Sequence, residues 1–274
     1  MPFPPSFARI KHRGPFSTLS RLIAIHHTPP APFYSNTPRR LSRSAASYRA
    51  LHTPPPASPP MSPPISNRLI CPELGLCPSE TPPGFLDKEL AFFNAIPWTA
   101  ALLEAPDAIA FVPPCRNPVS DAHDQLFGCT LANDRAVKQM LCLLRAKSRA
   151  AALDPTRAIT EIETLISVGD GVSGFPNVVH GGIVASLLDE SMGAVFDLNV
   201  TLGKEARAFQ SNNVTGALNV TYLKPVPTNS VLHITVKVEE MNGRKTKIQC
   251  DLKDENHAVL AKCSSTWVAL KPSL

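Results

Sequence analysis

The first acidic residue in this 274-residue chain is Glu73. Nine bases precede it: Arg9, Lys11, Arg13, Arg21, Arg39, Arg40, Arg43, Arg49 and Arg68. Serines and threonines fill much of the remainder, and 19 prolines fall between Met1 and Pro83. Arginine and serine without carboxylates make up the composition of an organelle transit segment. Residues 1–52 are therefore expected to be a mitochondrial (matrix) presequence, with Arg39 to Leu51 as a short basic amphipathic helix; a cytoplasmic location is the alternative. Residues 53–84 are expected to be an extended Pro-rich linker, since Pro54 to Pro64 cannot pack a core.

Other absences narrow the function. No apolar run reaches the roughly 18 residues of a transmembrane helix, so no membrane span is expected. The seven cysteines form no C-x-x-C pair and no cluster with histidine at metal spacing. A metal site is not expected, and reduced thiols are. The net charge of +5 belongs to the leader: without its nine bases, 18 Lys and Arg face 22 acids, a balance of −4. That balance gives a nucleic-acid partner little support.

The rest of the chain carries periodic patterns. Phe85 to Ala95 has Leu86, Leu90 and Phe93 at helical spacing, and Pro97 stops it before a short helix from Trp98 to Leu103. Gln125 to Leu131 suits an opening strand or a helical turn. Asp134 to Ala150 reads as a helix with Val137, Met140, Leu141 and Leu144 on one face. Its Lys138, Arg145, Lys147 and Arg149 then form a solvated face, with phosphate binding as the alternative. Thr160 to Val168 alternates as a strand does, and Gly169 to Gly174 is a turn. No Lys-Ser/Thr follows that turn, which excludes a Walker site. A helix from Gly182 to Leu198 precedes four strands, Val214 to Leu223, Val231 to Met241, Lys245 to Asp251 and Val259 to Leu270, with a hairpin at Asn242-Gly243. One long helix followed by an antiparallel meander is an α+β plan in which the sheet wraps a buried helix. Residues 85–155 are expected to be a helical extension, and 156–274 the folded domain.

The most informative stretch is VVHGGIVASLLDESMG, Val178 to Gly193. Glycines are poor residues for a helix start, and here they leave unpaired amides open to an incoming oxygen. Such donors stabilise acyl-transfer transition states by several kcal/mol. At about 100° per residue, Val184, Leu187, Leu188, Ser191 and Val195 face a sheet, while Ser186, Glu190 and Asp197 face water. Asp189 falls beside Ala185, Met192 and Phe196, on a small and apolar surface. It is the candidate for chemistry, and pairing with a base elsewhere is the plainer role.

His180, Gly181, Gly182 and Asp189 match the HGG-x6-D arrangement of hotdog-fold acyl-CoA thioesterases, in the branch with phenylacetate-pathway and mitochondrial long-chain enzymes. Asn212 to Pro227, NNVTGALNVTYLKPVP, resembles the strand on which that family carries a small hydroxyl residue across a dimer interface; here Thr215 takes that place. The resemblance covers roughly residues 159–270, and residues 85–155 resemble a fungal extension more weakly. It implies an antiparallel sheet around one long central helix and hydrolysis of an acyl-CoA thioester. Amides at Gly181 and Gly182 form the oxyanion hole, and Asp189, from the other side of the interface, is nucleophile or general base. Thr215 steadies the carboxylate or water, and His180 orients the loop or the carbonyl, or simply caps the helix. Some relatives have an asparagine where this chain has Gly174; Asn177 is the nearest substitute for contacting the substrate. Coenzyme A is part of the substrate, and no cofactor is expected. Its phosphates would meet Lys224, Arg244, Lys245 or Lys247, and Met192, Phe196 and Phe209 are candidates for an acyl tunnel. The expected assembly is a homodimer or a dimer of dimers. The alternatives are an acyl-thioester dehydratase or hydratase, disfavoured because no histidine precedes Gly174-Phe175-Pro176, and a non-catalytic acyl-CoA-binding protein.

Overall fold

Residues 137–145 carry the apolar spacing of a helix and fold as a strand. The computed structural model describes residues 68–118 and 120–271, so the expected transit segment and residues 53–67 of the expected linker lie outside the described residues. The elements are α1 (Phe85–Asn94), α2 (Pro97–Leu103), β1 (Ala108–Phe111), β2 (Val137–Arg145), α3 (Arg149–Leu153), β3 (Glu161–Val168), β4 (Ser173–Phe175), β5 (Val178–Val179), α4 (Gly181–Thr201), β6 (Asn213–Tyr222), β7 (Ser230–Asn242), β8 (Lys245–Lys253) and β9 (Val259–Ala269). Seven strands form one antiparallel sheet in the order β1-β2-β3-β7-β8-β9-β6, and β4 pairs with β5 separately.

The helix expected from Asp134 to Ala150 is thus corrected to strand β2, with only the five-residue α3 after it. The reason is burial on both faces. Met140, Cys142 and Leu144 join the cluster around α4, while Leu141 and Leu143 join a second cluster with Phe93 on the opposite face. A strand covered on both sides is apolar almost throughout, and periodicity alone cannot separate it from a buried helix. Of the four bases expected in solvent, Lys138, Lys147 and Arg149 are exposed, whereas Arg145 is half-buried and its Nε donates to Glu163 on β3 at 2.7 Å. The expected linker also needs correction near its end. Leu69, Ile70, Cys71 and Leu74 are buried, and Ile70 bridges to Val112 beside β1.

The α+β plan stands, with α4 packed against β3, β6, β7 and β8. Val184, Leu187, Leu188, Ser191 and Val195 are all buried, as the helical angles require. At the far end of α4, Gly203 takes φ +64, a left-handed stop that glycine adopts without strain. Asn242-Gly243 turns β7 into β8, with Gly243 at φ +60. On the outer face, α1 and α2 cover β2 through Phe93, Leu141, Leu143 and Leu165, a layer beyond the expected helix and sheet. Glu89 on α1 is buried and its Oε2 accepts from Met140 N–H at 3.0 Å, just past a register shift in β2.

Candidate active site

The sequence VHGG makes the start of α4 from its own side chains. His180 is the N-cap, with φ −59 and ψ 134, and its Nδ1 accepts from the Gly182 N–H at 3.0 Å. Its carbonyl accepts from Ile183 and Val184. The expectation of two free donors is therefore corrected. The Gly182 amide is occupied by His180, and Gly181 N–H alone of this first turn has no acceptor among the described residues. His180 acts here as the cap of the helix. Tyr222 at the end of β6 holds the same turn from outside, its hydroxyl donating to Gly181 O at 2.8 Å.

Gly174 explains why no asparagine stands at that place. A Cβ on it would lie 3.0 Å from His180 Cα and 3.2 Å from the imidazole ring, tight contacts that a side chain would have to relieve by a small shift of the cap. Asn177 sits with Pro176 in the two-residue turn between β4 and β5, and its φ of +61 suits the position after proline in a type II turn. Its carbonyl accepts from Thr228 N–H, a turn contact.

Two turns along α4, Asp189 Oδ1 accepts from Thr215 Oγ1 at 2.8 Å. The two residues expected to meet across an interface meet within one chain. Thr215 is aimed by a bulge, because the β6–β9 register shifts between Thr215 and Ala217. Gly216 allows that bulge to close, since a Cβ there would lie 3.0 Å from a Val268 methyl. Spelling alone did not mark Gly216, although a glycine inside a strand pattern is the ordinary sign of a bulge.

Asp189 stands at the edge of a cavity of about 330 Å³. Its walls include Glu190, Phe196 and Asp197 of α4, Trp267 of β9, and Arg68 and Asp124 from the preceding segment. Glu190 and Asp197 were expected in water, and here the structure corrects the reading. Burial pushes each carboxyl up to about 7, with their mutual repulsion adding to the rise at Asp197, while a hydrogen bond from the Cys115 thiol pulls Glu190 back. Asp124 is also raised by burial. Of the tunnel candidates, Phe196 lines this cavity, whereas Met192 and Phe209 are buried in the core.

The four expected substrate contacts do not converge. Arg244 Nε and Nη2 both donate to Ala269 O, at 2.8 and 2.6 Å, which ties the side chain to the end of β9. Lys245 is level with Val268, itself opposite Val214, whereas Lys224 lies beyond the other end of β6. At about 3.3 Å per residue, that separation is roughly 30 Å. Within one chain these bases cannot hold one ligand.

With this geometry in place, comparison with known proteins becomes specific. The family model described as "Thioesterase superfamily" matches residues 176–261, which contain the cap, Asp189, Thr215 and three of the last four strands complete. This stretch is a thioesterase-superfamily hotdog domain. Verlamelin biosynthesis protein B of Lecanicillium sp is 26% identical over 219 residues, covering 71% of this chain and 93% of that protein. The mouse acyl-coenzyme A thioesterase THEM4 (Mus musculus) is 28% identical over 110 residues, 40% of this chain and 43% of its own. An uncharacterized mitochondrial membrane protein of Saccharomyces cerevisiae, FMP10, is 26% identical over 104 residues, 38% of this chain and 40% of its own. The match to these last two spans less than half of their length. Among the described residues no helix is long and apolar enough to cross a membrane.

Proposed function

We propose that the protein hydrolyses an acyl-CoA thioester to the free acid and coenzyme A. The observation that carries this is the Asp189 carboxylate, held by Thr215 at 2.8 Å on the lip of a cavity. Asp189 serves either as nucleophile on the thioester carbonyl carbon or as base toward the attacking water. In both routes water supplies the oxygen of the acid and the thiol leaves with a proton. The Gly181 N–H, at the positive end of α4, receives the developing oxyanion. No resident cofactor is needed, coenzyme A being part of the substrate.

One chain does not bring these groups together. Eight residues of helix separate Gly181 from Asp189, about 12 Å along the axis. A second copy resolves the gap. β6 is the edge of the sheet, ten residues long, with Val214 and Tyr222 exposed along it and Leu223 just beyond. Such an edge is a template for another strand. Antiparallel pairing of two β6 strands about a two-fold axis between Leu218 and Asn219 sets Thr215 opposite Tyr222 of the second copy. That tyrosine holds its own Gly181, so the amide of one copy arrives beside the Asp189–Thr215 pair of the other. The functional unit proposed is a homodimer with two composite sites.

The comparisons agree with the chemistry, since THEM4 is named an acyl-coenzyme A thioesterase. A mitochondrial location joins the proposal through the basic, acid-free leader and the name of the yeast relative. The test is release of free thiol from a panel of acyl-CoAs by the purified full chain. Asp189→Asn should abolish release without changing the mass in solution. Full activity in that variant would remove Asp189 from the mechanism, and a monomeric active protein would remove the composite site.

A further inference from the structure

The cavity beside Asp189 is poorly suited to a plain alkyl chain. It follows α4 for three turns, from Asp189 to Val200, about 16 Å at the rise of an α-helix. Its apolar part is an aromatic pair, Phe196 and Trp267, with ring centroids 5.0 Å apart. Carboxyls share the lining, Glu190 and Asp197 from α4 and Asp124 from the segment before β2, together with Ser211, Asn212 and Asn213. The one base in the lining, Arg68, already donates to Asn117 through Nε and Nη2. Trp267 is 7% exposed and its indole Nε1 has no partner among the described residues.

Resting on the hydrolase reading, we propose that this cavity receives the acyl group and favours acyl groups bearing a hydrogen-bond donor, a hydroxyl or an amine, over unsubstituted chains. A methylene chain drawn along Glu190 and Asp197 strips water from carboxyl oxygens and returns nothing. A hydroxyl or amine replaces that water, while the aromatic pair still covers the hydrocarbon beside it. An acyl group ending in a carboxylate meets like charge once these carboxyls ionise, above about pH 7, and is rejected there. The selecting wall is partly outside the thioesterase domain. Asp124 and Arg68 come from the preceding segment, whose Cys115 and Phe127 are buried in one cluster with α4. Residues 68–130 thereby act as a specificity element for a site whose reacting groups lie on α4 and β6.

The experiment compares kcat/KM of the full chain for CoA thioesters of matched length: unsubstituted, β-hydroxy, ω-hydroxy, ω-amino and ω-carboxy. Donor-bearing substrates are expected to exceed the unsubstituted one by about ten-fold, one hydrogen bond to a carboxyl, with the ω-carboxy substrate the poorest. The separate hydroxy and amino arms show which donor is preferred. Asp197→Leu should collapse the ratio between donor-bearing and plain substrates toward one, a readout that a general loss of folded protein does not move. Equal or better use of the unsubstituted chain by the wild type overturns the inference while leaving hydrolysis intact. If no thioester is cleaved, the hydrolase reading fails, and thermal shifts by the matching free acids decide specificity: a larger shift from the hydroxy acid supports it, and equal shifts overturn it.

Discussion

Proline in place of Gly181 removes one hydrogen atom from the proposed site and little else. Gly181 is the first residue of α4, the position where a helix accepts proline because that amide has no partner within the helix. The preceding His180 already has φ −59 and ψ 134, the extended geometry a residue before proline requires. A Cβ at 181 would lie 3.6 Å from Tyr222, ordinary contact. Folding stability should therefore change by no more than about 1 kcal/mol, with a reduced unfolded-state entropy in its favour. The lost N–H is the oxyanion donor, and loss of one such donor lowers kcat by about 10²–10³-fold. Gly181→Ala keeps the N–H and should stay near wild-type activity. Thiol release gives the rates, and urea unfolding confirms the fold. Mixing Gly181→Pro with Asp189→Asn subunits should restore one composite site per mixed dimer. A folded Gly181→Pro protein as active as Gly181→Ala would refute the oxyanion assignment.

Glu190 and Asp197, raised by burial to about 7, hold protons in the folded state that the unfolded chain has lost. Their contribution is full below the unfolded values and disappears as pH rises through 7, so stability should fall between about pH 5 and pH 8 by at most ~1.4 kcal/mol per unit for each group. Asp197→Asn should flatten that slope in urea titrations, and an unchanged slope would contradict the burial. Glu163 behaves oppositely: burial raises it, yet hydrogen bonds from His233 and Arg145 prevail and hold it down at about 2. Stability is expected to drop as pH falls from about 4.5 toward 2, and Glu163→Gln should lose this acid dependence. Leu141→Ala, on the face of β2 under α1, should cost about 2–5 kcal/mol in chemical denaturation.

The domain around α4 was legible because its signals are local. Each of the last four strands begins and ends within two residues of its expected bounds, since alternation on a half-buried sheet and the Asn-Gly turn both act over short distances. β2 was not legible for a non-local reason. Its outer face is apolar because α1, some 50 residues earlier, lies on it. Nothing within Val137 to Arg145 distinguishes that circumstance from a helix with one wide apolar face. Bulges at Lys138 and Gly216 escaped for a similar reason, being defined by the strand opposite.

The site divides along the same line. Asp189 was recognised from its own helix, because its neighbours at one turn's spacing are small or apolar. Glu190 and Asp197 were placed in water because a helical angle states a direction and nothing about what occupies it. The occupants, Pro114, Cys115 and Asp124, come from a segment more than 60 residues earlier, with no periodicity to declare where it lands. Two half-buried carboxyls on the supposedly wet face of α4 carry a desolvation cost, which is tolerated only where some other gain offsets it. The position of that cost is informative: it falls along the cavity that opens at Asp189, and on the wall that the thioesterase domain does not build alone. A segment that merely stabilised the sheet would meet α4 through apolar side chains, as α1 meets β2. Leu69, Leu74, Cys115 and Phe127 do so, in one apolar cluster with α4, whereas Asp124 and Arg68 line the cavity instead and are the segment's contribution at the ligand.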